Sequence, residues 1–73
     1  MVTEIQRRFR AQTYCWDSDG RLSLTDPIDV FALNIDEASR KFTGGDISER
    51  GPKHKLAAKI WDMHGDIRLY YRN

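Results

Sequence analysis

From Ile5 to Cys15 the odd positions hold Ile5, Phe9, Ala11, Thr13 and Cys15, and the even ones hold Gln6, Arg8, Arg10, Gln12, Tyr14 and Trp16. Only Arg7 breaks this alternation of period two, which predicts a strand. After a turn at Asp17 to Gly20, Leu22 and Leu24 resume the alternation. Asp26 and Pro27 interrupt it, and Ile28, Val30, Phe31, Ala32 and Leu33 carry it on. Residues 21–33 are therefore expected to form one long strand, kinked where the proline removes an amide donor. The period then changes. Ile35, Ala38 and Phe42 fall at helical spacing behind Asn34, a good N-cap, with Glu37 placed to reach back to it. A helix over 35 to about 42 follows, stopped by Gly44 and Gly45. Residues 46–53 mix turn formers with charges of both signs and read as a mobile surface loop.

A pattern is repeated. Trp16-Asp17-Ser18-Asp19-Gly20-Arg21-Leu22-Ser23-Leu24 and Trp61-Asp62-Met63-His64-Gly65-Asp66-Ile67-Arg68-Leu69 both read W-D-x-x-G-x-(Leu/Ile)-x-Leu, 45 positions apart. Asp at a turn start, Gly three residues later and alternating flanks describe a β-hairpin, here built twice. The second runs from 54 to 63 and from 66 to 72. The order is β-β-α-β-β, and the fold class is α+β. A four-stranded, mainly antiparallel sheet with one short helix across a single face is expected, in one domain over 1–73.

Hairpin register decides which side chains share a face. A four-residue loop pairs Trp16 with Arg21 and Trp61 with Asp66, and sends Leu56, Ala58, Ile60, Ile67, Leu69 and Tyr71 to the core. A three-residue loop with a Gly bulge pairs Trp16 with Leu22 and Trp61 with Ile67, turning both Trp rings inward and Lys59 with them. The first register is expected, because it buries the more apolar set and no lysine. The face left open then displays Arg8, Arg10, Tyr14, Trp16, Arg21, Lys59, Trp61, Arg68, Tyr70 and Arg72. The acids sit in turns, at the kink, at the helix start and in the 46–53 loop.

The net charge of +1 excludes both a polyanionic DNA mimic and a strongly basic nucleic-acid coat, so the arrangement of charge matters more than its sum. Hydrophobic residues at 40% and no apolar run of membrane-spanning length indicate a soluble protein with no membrane partner. Met1, Val2, Thr3 and Glu4 do not begin a secretory leader, which points to the cytoplasm. Cys15 is the single cysteine, expected to face inward, and offers neither an internal disulfide nor a thiolate cluster. His54 and His64 lack further ligands at metal spacing, Asp17 and Asp62 are turn formers, and no serine has a recognisable base. No cofactor, no metal and no enzymatic activity are expected.

A face on which cations alternate with aromatics suits three roles. It can dock on a protein, since Trp, Tyr and Arg dominate binding hot spots. It can stack bases and hold phosphates of a nucleic acid. It can also join two copies as a homodimer, or it can be cross-strand packing alone. The segment Val30-Phe31-Ala32-Leu33-Asn34-Ile35-Asp36-Glu37-Ala38, a strand entering an N-capped helix, resembles segments of small phage and mobile-element proteins. Within that group the size and the β-β-α-β-β layout are similar to some anti-CRISPR proteins. The resemblance implies an inhibitor in the host cytoplasm that docks on an RNA-guided defence complex and blocks target-DNA engagement. Several such inhibitors are acidic, so this chain would dock by a basic or mixed face.

Overall fold

The structure is a computed structural model and describes residues 5–73. The residues read against a leader, 1–4, lie outside the described residues. Strand β1 (Arg7–Trp16) leads to β2 (Leu22–Leu24), β3 (Ile28–Ala32), helix α1 (Ile35–Thr43), β4 (Ile47–Ser48), a 3-10 turn (Lys53–Lys55), β5 (Leu56–Asp62) and β6 (Ile67–Arg72). All pairings are antiparallel and the sheet order is β2-β1-β5-β6-β4, with β3 beside β1 on the edge that β2 also occupies.

Among the described residues the sheet thus has six strands where four were expected, for two physical reasons. The predicted strand 21–33 is divided at Asp26 and Pro27. Its halves pair separately with β1, at Tyr14–Trp16 and at Arg7–Ala11, and Thr25 N donates to Thr13 O across the gap at 3.1 Å. The segment 46–53 is also more than a loop. Ile47 packs against the core and with Ser48 forms the edge strand β4 on β6.

Helix α1 follows its sequence signals. Asn34 Oδ1 accepts from Glu37 N at 2.8 Å, and Gly44 closes the other end at φ 89°. The reciprocal half of the capping box is replaced by an ion pair, Glu37 Oε1 with Lys41 Nζ at 3.2 Å. Ala38 is buried, and Ile35 and Phe42 pack on either side of it. Beneath them lie Phe9 and Ala11 of β1, Ala32 of β3, Ala58 and Ile60 of β5 and Tyr70 of β6. Alanines beneath the helix leave room for it against the sheet, and Phe9 and Ile60 are the largest hydrophobic side chains buried completely.

The duplicated pattern builds the same turn twice. Asp17 Oδ1 accepts from Asp19 N and Arg21 N, at 2.9 and 2.8 Å. Asp62 Oδ1 accepts from His64 N and Asp66 N, at 2.8 and 3.1 Å. Asp17 N donates to Arg21 O and Asp62 N to Asp66 O, closing three-residue loops in which Gly20 and Gly65 take φ of 79° and 97°. A side chain at either glycine would meet left-handed backbone strain. Because β1 and β5 pair with Thr13 opposite Ala58, the 45-residue offset exchanges the two members of that pair. The hairpins are therefore related by an approximate two-fold axis through it, normal to the sheet. The turns lie at opposite ends of a molecule measuring 52 × 23 × 19 Å.

The four-residue register is overturned. Trp16 pairs with Leu22 and Trp61 with Ile67, as the three-residue loop requires. The rings do not turn inward, however. Ala58 and Ile60 remain in the core as expected, and the strands that exchange their faces are β2 and β6. Tyr70 goes under the helix, and Ile67 and Leu69 turn outward.

A bulge between Leu56 and Ala58 sets Leu56 opposite Tyr71, so Leu56 leaves the helix side. Leu56 and Tyr14 are buried outside the main core. Gly51 lies on Tyr71, where an added Cβ would come within 2.9 Å of the Tyr71 Cβ. Gly51→Ala is accordingly expected to cost about 1–3 kcal/mol through forced displacement of this segment. A lowered thermal midpoint checks it. An unchanged midpoint would mean that the segment does not rest on Tyr71.

Candidate docking surface

The sheet face away from α1 has no element of the described chain packed across most of it. Register places its side chains in rows. Phe31 lies beside Arg8, whose Nη2 donates to Met63 Sδ at 3.6 Å. Asp29, Arg10, Trp61 and Ile67 form the next row, and Gln12, Lys59 and Leu69 the one after. Beyond these, Tyr14 faces Leu24 and Trp16 faces Leu22. Ile67 is 54% exposed and Leu69 39%, and Phe31, Met63 and Leu24 are also exposed. An apolar group of this kind, interleaved with cations, marks interaction surfaces more often than isolated exposed side chains do.

Of the ten residues expected on the open face, Arg8, Arg10, Trp16, Lys59 and Trp61 stand there. Tyr14 is on that side but is buried, with Tyr71 near its hydroxyl. Tyr70 is corrected to the core at 3% exposure, its hydroxyl donating to Asp36 Oδ1 at 3.2 Å. Arg68 and Arg72 share its side of the sheet, and Arg21 closes the first turn. Cys15, expected inward, is exposed. Ile67, Leu69, Phe31 and Met63 were not expected on this face. For Ile67 and Leu69 the signal was the spacing W-D-x-x-G-x-Ile-x-Leu itself, since an aspartate accepting from the amides two and four residues on closes a three-residue loop.

The cations of the face are partly engaged. Lys59 Nζ lies 5.3 Å from the centroid of the Trp61 ring, and Arg10 Nε is 3.3 Å from Asp29 Oδ1. The Lys59–Trp61 contact keeps an ammonium and an indole together on an exposed surface, an arrangement worth about 0.5–1 kcal/mol. Trp16 Nε1 is buried with no hydrogen-bond partner among the described residues.

Behind the face, Asp62 is 6% exposed and also pairs with Arg7 Nη2 at 3.3 Å. Burial alone would raise its carboxyl. The amides of His64 and Asp66, with the nearby His64 and Arg7 side chains, outweigh that and hold it below the usual carboxylate range. A carboxyl depressed by folding stabilises the native state above its unfolded value, about 4, and that stabilisation is lost as pH falls through the folded value. Urea midpoints are expected to decline below about pH 4, and Asp62→Asn, which retains an acceptor oxygen for the amides, is expected to flatten that decline. An acid limb unaltered in Asp62→Asn would assign the loss elsewhere. At the other extreme, burial and then the carboxylates of Asp36 and Glu49 push the Tyr70 hydroxyl upward.

Among the described residues no three His, Cys, Asp or Glu side chains group as metal ligands, and no helix is long and apolar enough to cross a membrane. The chain matches no family model, no curated protein and no solved structure.

Proposed function

We propose that this protein is a non-enzymatic binding module that docks on a protein partner through the open face of its sheet. The observation that carries the reading is the row structure around Trp61, with Ile67 and Leu69 exposed beside Trp61 and Lys59. Aliphatic side chains flanking a half-buried Trp can fill apolar pockets on a protein, and the cations around them favour an acidic rim. The partner class we propose is an RNA-guided defence complex in the cytoplasm of a host cell, inhibited by occlusion of target DNA, in line with the anti-CRISPR resemblance in size and segment pattern.

Arg8, Arg10 and Lys59 around Trp61 support a second reading, a single-stranded nucleic-acid site. The Arg10–Asp29 pair and the exposed aliphatics weigh against it. One experiment separates the two. The purified protein is mixed with a reconstituted RNA-guided surveillance complex and target DNA, and separately with bare single-stranded DNA over a salt series. Co-elution with the complex and loss of target binding are expected. Binding to bare DNA that weakens steeply with salt, without co-elution, would replace this proposal by the nucleic-acid reading. The same chromatography reads the oligomeric state, monomer or homodimer.

A further inference from the structure

The backbone edge of β6 offers a site distinct from the side chains of the face. Asp62 N donates to Asp66 O, and Ile60 pairs with Arg68 and Ala58 with Tyr70. In an antiparallel ladder this phase turns the N–H and C=O groups of Arg68 and Tyr70 towards β5, and those of Ile67 and Leu69 away from it. Asn73 N donates to Asp46 O at 3.4 Å in the same outward phase. Strand β4 takes up the outward row at Asn73 and Tyr71 and then ends, the chain leaving over Tyr71 at Gly51. What remains among the described residues is an unfinished ladder at Ile67 and Leu69. A groove of about 420 Å³ runs along it, lined by Glu49, Arg50, Ile67, Arg68, Leu69 and Tyr71.

The other edges are less open. Lys41 Nζ donates to Phe31 O at 2.9 Å on β3, and Asp29 adds charge there. β2 has three residues and is followed by Pro27. Self-pairing of β6 is also opposed. An antiparallel match that keeps both faces in phase and uses only Ile67 and Leu69 sets the Arg68 side chains of two copies opposite each other.

We propose that an extended segment of a partner protein, alternately apolar and acidic, adds to the edge of β6 as the strand that continues β4. Its backbone completes the hydrogen bonds of Ile67 and Leu69. Its apolar side chains lie beside theirs on the open face, and its acids meet Arg68 and Arg50, neither of which has an ion-pair partner among the described residues. Glu49 lies in the same groove and leaves it with one net positive charge. This inference rests on the protein-docking reading for the nature of the partner, and adds the backbone as the means of recognition.

The test uses a short acetylated peptide alternating Val and Glu, a matched Val/Lys peptide and amide NMR shifts of the whole protein. The Val/Glu peptide is expected to shift the Ile67 and Leu69 amides, with the Val/Lys peptide about tenfold weaker or more. The double variant Arg50→Glu with Arg68→Glu is expected to reverse that preference. A synthetic chain with N-methyl leucine in place of Leu69 keeps the side chain, loses one outward N–H and is expected to lose binding while the Lys59 and Trp61 amides keep their positions. Co-elution of the unaltered protein with the surveillance complex is scored alongside, so failure of the face reading is seen separately from failure of the edge reading. Equal binding of the two peptides, shifts confined to Lys59 and Trp61, or no shift at millimolar peptide would overturn the proposal. So would concentration-dependent shifts of Ile67 and Leu69 without peptide, which would make a second copy the occupant.

Discussion

Phe9→Ala is expected to leave the protein largely unfolded at room temperature, whereas Phe31→Ala is expected to change stability by less than about 1 kcal/mol. The two rings belong to neighbouring strands and differ in the face they occupy. Phe9 is 1% exposed between Val30 of β3 and Asp62 of β5, among the side chains covered by α1, and Arg7 lies 5.4 Å from its ring centroid. Phe31 is half exposed beside Arg8 on the open face. Removing a buried phenylalanine costs about 3–5 kcal/mol, transfer and cavity terms together. A chain of 73 residues is stabilised by only about 4–11 kcal/mol in all at typical per-residue values. A domain this small falls at the low end of that range, where most or all of the margin is lost. Urea unfolding followed by Trp fluorescence measures both variants. A Phe9→Ala midpoint close to wild type would place the core elsewhere and remove the basis for the face assignment.

What could be read from the chain was whatever local chemistry determines. Asn34 caps a helix because its side chain can reach the Glu37 amide, and Gly44 stops it because a left-handed residue must stand there; neither depends on distant contacts. The Asp and Gly of each repeat specify a turn for the same reason. The strand alternation of β1 was legible too, since the helix covers one of its faces. Apolar count favours the opposite faces for β6, since it ranks Ile67, Leu69 and Tyr71 above Arg68, Tyr70 and Arg72. The structure weighs other terms: two amides satisfied by Asp62, a Tyr70 hydroxyl with a partner in Asp36, and a helix too short to cover every apolar side chain. Pairings set by tertiary contact were hidden as well. Ile47 joins an edge strand through its core contact, and the bulge at Ala57 moves Leu56 across the sheet, neither leaving a mark in the periodicity.

The corrected faces make a sharper expectation for binding than the sequence allowed. Trp61→Ala with Leu69→Glu is expected to weaken the proposed docking by at least about a hundredfold, since a central Trp alone often contributes 2 kcal/mol or more and a carboxylate in an apolar pocket adds a desolvation cost. Arg21→Glu with Arg72→Glu reverses more charge, at the turn and on the helix side of the sheet, and is expected to change affinity by less than about threefold at moderate salt. Charge alone therefore predicts the opposite ranking from position. If binding depended on the net positive charge of the molecule, the arginine pair would be the more damaging and its effect would vanish with added salt. If it depends on the face, the Trp61 and Leu69 pair dominates, and the loss persists at high salt because apolar contacts are not screened. Both double variants should unfold cooperatively, because each site lies outside the Phe9 and Ile60 core. An affinity loss that follows Arg21 and Arg72 instead would return the site to the charge pattern that alternation alone suggests, and would leave Ile67 and Leu69 as an uncovered edge with no part in recognition.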